Sequence, residues 1–233
     1  MDFHDRNVVV TGGTGALGSA VVSALVAVGA LCHVPYRDEA EASRFALRGH
    51  AQVTLLSAGD LTEEATVARI YDAVPKLWAS IHIAGGFAFA PIADTGRELL
   101  MRQIETNLVS CYLCCRAAAE AMRGAGACGR IVNVAARAAL EWRTGAKTTA
   151  YTASKAAVAA LTAALAEELA GEGILVNAVA PSIMDTPANR QSMPKTDHEK
   201  WPKVEEVART ILFLASPDNR VTRGAVVPVY GRA

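Results

Sequence analysis

Tyr151 and Lys155 stand four residues apart in the stretch "YTASK". On a helix that spacing places one side chain above the other on a single face. A phenol ordinarily titrates near ~10, which is high for proton transfer at neutral pH. A neighbouring ammonium favours the phenolate, so the pair is expected to lower that value and to let Tyr151 move a proton to or from a reacting atom. The alternative is a surface tyrosine and lysine on an ordinary helix.

A second group of residues could hold the other reactant. The run "TGGTGALGS" follows the short β-branched stretch "NVVV" and leads into a long apolar pattern of helical length. Glycines at Gly12, Gly13, Gly15 and Gly18, with Thr14, Ala16 and Leu17 between them, allow a tight turn and close backbone approach to a pyrophosphate. The helix behind them offers unpaired N–H groups and its positive dipole end. Strand, glycines and helix in this order point to a dinucleotide. Its kind depends on the end of the second strand, "HVPYRDEA". An acid there would accept from the ribose hydroxyls of NAD(H). Tyr36 and Arg37 occupy the position instead, with Asp38 read as a helix cap, which favours NADP(H) and leaves NAD(H) open. Arg37 could equally be a solvated surface residue. Asp60 and Leu61 end the third strand region, where an adenine could lie. Ala84, Gly85 and Gly86 end the fourth and are small enough for a cofactor to pass close by.

These residues need a frame. Strand-like runs "NVVV", "LCHVP", "QVTLL", "ASIHIA", "RIVNVA", "ILVNAVAP" and "GAVVPVY" alternate with helical patterns, among them "DEAEASRFALR", a long helical region over roughly Arg97 to Met122 and another from Tyr151 to Ala170. Short apolar strands separated by helices predict an α/β fold: a single Rossmann-type, doubly wound parallel sheet of about seven strands with helices on both faces. No repeat or linker interrupts the chain, so residues 1–233 read as one domain. Each motif falls at a strand's carboxyl end, where such sheets bind ligands.

Composition narrows the class. Hydrophobic residues are 52% and charged residues 20% of 233, which excludes a disordered chain. Lys+Arg and Asp+Glu are both 23, so no global field draws nucleic acid or an anionic membrane. The start "MDFHDRN" lacks an apolar stretch behind a basic segment, so no secretory signal is expected. Ala16 to Val34 is apolar but broken by Gly18, Ser19, Ser23 and Gly29, and reads as helix then strand. Cys111, Cys114 and Cys115 share a helical face. With Cys32 and Cys128 they read as reduced thiols of a cytoplasmic protein. The five histidines form no cluster in sequence, so no metal is expected.

The residues "TGGTGALG", "AGG", Asn107, "YTASK" and "NAVAPSIMDTP" together resemble the short-chain dehydrogenase/reductase superfamily over the full length. "GGTGALGS", "AGGF", "AARAAL" and "MDTPANRQSMP", followed by Trp201, are further similar to dihydropteridine reductase. The resemblance implies that Lys155 also holds the nicotinamide ribose and that Asn107 supports a water chain leading to it; a helix-bending Asn is the alternative. It further implies that Pro181 and Ile183 line the nicotinamide and that Thr186 bonds its carboxamide. The superfamily's catalytic serine should lie at Ala136, and dihydropteridine reductase also lacks that serine. Unlike that enzyme, this chain has Tyr36-Arg37 in place of an acid and keeps Asn107.

The expected reaction is hydride transfer to a conjugated, flat, pterin-like or quinonoid small molecule, one that needs less help from a serine. A carbonyl or 3-oxoacyl reductase using Thr144, Thr148 or Thr149 as substitute donor, and a cofactor-binding protein with little catalysis, are the alternatives. Arg137 could meet a substrate carboxylate or carbonyl and Trp142 could stack on a flat ring; each could instead be an outer-face charge or a packing aromatic. The run "NRQSMPKTDHEKW" is expected to be a mobile substrate lid. Apolar residues Leu108, Leu113, Val158, Leu161 and Leu165 on two helices suggest a homodimer or homotetramer.

Overall fold

The computed structural model describes residues 1–126 and 128–232. Seven strands form one sheet: β1 (Asn7–Thr11), β2 (Leu31–Tyr36), β3 (Val53–Ser57), β4 (Leu77–His82), β5 (Gly129–Val134), β6 (Ile174–Pro181) and β7 (Val226–Val229). Their order is β3-β2-β1-β4-β5-β6-β7, and every neighbouring pair is parallel. A parallel strand returns only by crossing over the sheet, and the crossovers are the expected helices.

The helices are α1 (Ala16–Val26), α2 (Glu39–Arg44), α3 (Glu64–Asp72), α4 (Arg97–Ile104), α5 (Ser110–Gly124), α6 (Arg137–Leu140), α7 (Thr149–Glu168), α8 (Pro187–Ser192) and α9 (Val204–Ala215). Alternation along the strands sorts the core into two layers. Val8, Val10, Ala79, Ile81, Val132 and Val134 pack with α1 and α9. Val9, Ile131, Ile174 and Val176 pack with α3, α5 and α7. Both faces are covered, which is why the central strands read as nearly unbroken apolar runs. Among the described residues no helix is long and apolar enough to cross a membrane.

Three features go beyond these expectations. The helix begun by Asp38 stops at Arg44, because Phe45 turns to extended backbone and buries its ring in the core. The region 97–122 is helical throughout, as expected, but not uniformly α. A π-helical turn at Glu105–Val109 separates α4 from α5 and carries Asn107 inward, where it is buried. Leu113 and Val158 are buried in the chain's own core, with Leu108, Leu161 and Leu165 packed partly buried against it, so none of the five is left over as a bare apolar face.

The π turn has a visible purpose. Asn107 Nδ2 donates to Gly86 O and to Ser154 Oγ, both at 3.0 Å, while its Oδ1 accepts from Gly86 N at 2.9 Å. One amide thus ties the loop after β4 to α7. An extra residue in the helical turn re-aims a side chain in this way. Gly85 must lack a side chain here, since a Cβ would stand 2.6 Å from Asn107 Oδ1. Asn107→Ala should therefore cost about 1–3 kcal/mol, the penalty for orphaned buried polar groups; urea denaturation of the folded chain measures it, and an unchanged midpoint would refute the clamp.

Candidate active site and cofactor cleft

A cleft of about 670 Å³ opens where β1 to β4 end. Its floor is the turn between β1 and α1. Gly12 has φ +67°, and a Cβ there would come within 2.7 Å of Ala84 N. At Gly18 a Cβ would meet Gly12 O at 2.0 Å. The backbone is therefore drawn tight beneath the mouth, leaving a cradle that side chains would fill. α1 starts at Gly15 with no side-chain cap and no acid in its first turn. Its first N–H groups have no acceptor within the helix, and its dipole favours an anion. This cradle fits the pyrophosphate of a dinucleotide.

Of the residues singled out in sequence, Gly12, Thr14, Gly15, Ala16, Leu17, Gly18, Tyr36, Arg37, Asp60, Leu61, Ala84 and Gly85 line the cleft. Gly13 lies beneath it instead, packed so that a Cβ would stand 2.7 Å from Val34 Cγ1. Gly86 is held by Asn107. At the ribose end, Arg37 is flanked by acids: its Nε lies 3.6 Å from Asp38 and its Nη2 3.8 Å from Glu41. Tyr36 Oη donates to Glu39 at 2.7 Å. Arg44 also lines the wall. Asp38 caps α2 as expected, accepting from Glu41 N.

Beyond the cleft, Tyr151 and Lys155 both lie in α7. Phe87 meets the Tyr151 ring edge-on at 5.0 Å between centroids. Lys155 Nζ donates to Val134 O at 2.8 Å, close to where a Cβ on Gly85 would stand. The expected lowering of the phenol is not seen. Burial pushes Tyr151 up to about 12. Burial also brings Lys155 down to about 8, opposed by the nearby Cys111. Lys155 is buried and Tyr151 half-buried, so desolvation favours the neutral form of each, and the lysine's ammonium is engaged with a carbonyl.

Ala136 closes β5 with extended backbone and is 7% exposed. Thr144 Oγ1 donates to Glu141 O at 2.8 Å, and Thr148 Oγ1 donates to Gly145 O at 3.0 Å. Both hydroxyl protons are thus committed, and Thr149 is exposed at the start of α7. Arg137 Nε donates to Glu141 at 2.8 Å, and the guanidinium lies 4.9 Å from the Tyr230 ring centre. Trp142 is 74% exposed, with its Nε1 donating to Ala139 O. Pro181 is buried and Ile183 exposed. Thr186 Oγ1 accepts from Asn189 N at 3.2 Å and so caps α8, leaving its proton to donate elsewhere.

The run expected as a lid is partly anchored. Trp201 is buried and stacks with His198, Arg190 pairs with Asp185, and Arg232 N donates to Lys200 O. Its aromatic end belongs to the body of the protein. Sequence reading passed over Phe87 and Phe89, which are 64% and 65% exposed beside the site. An aromatic just after the small residues of a strand end was the available signal. A backbone bond from Ala90 N to Lys147 O ties their loop to the turn ahead of α7.

Comparison with known proteins agrees with this geometry. The family model for short chain dehydrogenase matches residues 6–197. Galactitol 2-dehydrogenase of Rhizobium johnstonii is 35% identical, covering 95% of this chain and 92% of its own length. The 2,3-dihydroxy-2,3-dihydro-p-cumate dehydrogenase of Pseudomonas putida is 30% identical, covering 96% and 92%. Among solved structures, ElxO with NADP bound superposes with a TM-score of 0.87 at 25% identity, covering 97% of this chain and 98% of that one.

The cradle makes a direct prediction. Gly18→Ala forces a methyl into the Gly12 carbonyl, so calorimetry should show dinucleotide affinity falling at least about tenfold, or ~1.4 kcal/mol. Unchanged affinity in a variant that still folds would remove the turn from the binding site.

Proposed function

The chain belongs to the short-chain dehydrogenase family and is an NAD(P)-dependent oxidoreductase, and from that premise we propose that it uses NADP(H) to reduce a flat, conjugated substrate of pterin-like or quinonoid type. Ala136 carries this reading: no hydroxyl stands just after β5, and two of the three threonine candidates, Thr144 and Thr148, donate to backbone carbonyls.

The glycine turn, Asp60, Leu61, Ala84 and Gly85 would hold the dinucleotide, with Lys155 at the nicotinamide ribose and Pro181, Ile183 and Thr186 around the ring. The bound nicotinamide supplies the hydride. Tyr151, its proton held firmly by burial, donates that proton to the substrate atom that gains negative charge. Lys155, still largely an ammonium at neutral pH, lends positive charge near that atom. Asn107 positions the Gly86 loop and α7 relative to each other.

A ketone at this site would lack the second donor to its growing oxyanion, a loss that typically costs about 10²–10³ in rate. A quinonoid C=N system is already electron-poor, and recovery of its aromaticity drives hydride uptake. Phe87, Phe89 and Trp142 offer exposed rings suited to a flat partner. The similarity of "MDTPANRQSMP" and "AARAAL" to dihydropteridine reductase supports the same substrate class. A second reading, oxidation of a secondary alcohol on a ring or polyol, is favoured by what the two named relatives act on. As in the wider superfamily, the working form is a homodimer or homotetramer, and four buried free thiols suit a cytoplasmic location.

Steady-state kinetics with NADPH on quinonoid dihydropterin and on one simple ketone test the substrate class. The pterin should turn over and the ketone poorly. Ala136→Ser should raise ketone reduction by about 10² and leave the pterin rate nearly unchanged, while Tyr151→Phe should slow the pterin by about tenfold or less, ~1.4 kcal/mol of barrier. A fast ketone rate with none on the pterin overturns the reading, and rapid NADP-dependent oxidation of a ring alcohol would establish the second one.

The cofactor preference rests on Arg37, with Arg44 on the same wall. NADPH should bind more tightly than NADH, and Arg37→Asp should reverse the order, because a carboxylate repels a 2′-phosphate and accepts from free ribose hydroxyls. Equal affinities in both proteins would remove Arg37 as the phosphate reader.

A further inference from the structure

The face of β4 and β5 that meets α5 is unexpectedly polar. Ser80, His82 and Asn133 point from the strands into the layer that holds Cys111, Cys114 and Cys115, and all six are buried. The sequence shows no metal-ligand spacing, but the fold brings His82 together with Cys111 and Cys115, their ligand atoms all lying within 4.8 Å of one another. We propose that His82 Nδ1, Cys111 Sγ and Cys115 Sγ, completed by Asn133 Oδ1, form a tetrahedral site for a thiophilic divalent cation of the zinc(II) type.

The spacings carry the case. Cys115 Sγ lies 3.4 Å from His82 Nδ1 and 3.4 Å from Asn133 Oδ1. Cys111 Sγ lies 3.3 Å from Asn133 Oδ1. Bonds of 2.0–2.3 Å to a tetrahedral zinc ion give ligand-to-ligand edges of about 3.3–3.8 Å. Three of the six edges are therefore already in place, and the two from Cys111 Sγ to Cys115 Sγ and to His82 Nδ1 are within 4.8 Å. The last, His82 Nδ1 to Asn133 Oδ1 at 2.8 Å, is a hydrogen bond that must open by about half an ångström to reach the same range.

The outer contacts aim the ligands. His82 Nδ1 donates to Asn133 Oδ1 in the metal-free chain, while Nε2 lies 2.8 Å from Ser80 Oγ and 3.2 Å from Tyr71 Oη, so Nε2 has acceptors for the proton when Nδ1 turns its lone pair to an ion. Asn133 Nδ2 donates to Thr162 Oγ1 at 2.9 Å, which fixes the carboxamide with its oxygen toward the sulfurs. Thr162 in turn donates to Val158 O at 2.8 Å. Cys111 and Cys115 come from successive turns of α5, so one helix face supplies both thiolates. Both sulfurs donate to Asn133 Oδ1 in the metal-free chain, so binding displaces the two thiol protons to solvent, and two thiolates balance the divalent charge. The ion would join α5, just past the π turn, to β4 and β5. Being buried, it would enter as the chain folds.

The test uses the full chain, unfolded in reductant and refolded with one equivalent of zinc(II) or cobalt(II), desalted, and measured for metal content and absorption. About one ion per chain should be retained, with the cobalt form showing thiolate charge transfer in the near ultraviolet and the strong visible bands of tetrahedral coordination. Cys111→Ala and Cys115→Ala should lose both signals, while Cys114→Ala and Cys32→Ala, outside the ligand set, should keep them. Should the two ligand variants fail to fold, the wild-type protein decides alone. Retention below about a tenth of an equivalent, absence of the charge-transfer band, or a Cys111–Cys115 disulfide in the chain isolated without reductant would overturn the site.

Discussion

A parallel strand buried on both faces cannot reach its neighbour by a tight turn. Each return must cross the sheet through a helix, and each crossover starts at a carboxyl end. That constraint gathers the glycine turn after β1, the acids and Arg37 after β2, the small residues after β4 and Ala136 after β5 along one edge. The strand order reverses between β1 and β4, so the loops on either side diverge and leave the cleft between them. The site is a consequence of how the core is covered.

Within that frame, tight packing of backbone sets what the site can hold. Gly12, Gly18 and Gly85 each stand where a single methyl would collide with main chain or with Asn107. The same economy applies to polar groups. Asn107, turned inward by the π-helical turn, satisfies both backbone groups of Gly86 and reaches Ser154, so the loop after β4 is tied to the helix carrying Tyr151 and Lys155. Burial then acts oppositely on the pair, raising the phenol and lowering the ammonium, so Tyr151 keeps its proton at neutral pH.

The layer below shows a different use of polarity. Tyr71, Ser80, His82, Asn133 and Thr162 form a connected, buried network between the sheet, α3, α5 and α7, with two cysteines at its centre. An apolar core would be easier to build, since each buried polar atom needs a partner.

Much of this was legible in the sequence because it is encoded locally. Alternating apolar strands and helices specified the seven-stranded parallel sheet; glycine spacing between a strand and a helix specified the cradle; the Tyr151–Lys155 spacing specified one helical face; and Ala136 announced a missing hydroxyl. What only the tertiary structure decided depends on neighbours distant in the chain. The phenol's upward shift comes from burial, which no four-residue motif reports. The π turn at Asn107 is stabilised by Gly86 and Ser154, 21 and 47 residues away. Thr144 and Thr148 are withdrawn as donors by local carbonyls whose positions depend on how the turn packs against α7. His82 meets Cys111 and Cys115 because β4 lies under α5, a proximity of 29 and 33 residues that periodicity cannot carry. Local pattern sets which elements form and which face is apolar; side-chain environment is a property of the packed whole, because burial and partner distance are fixed only when the layers close.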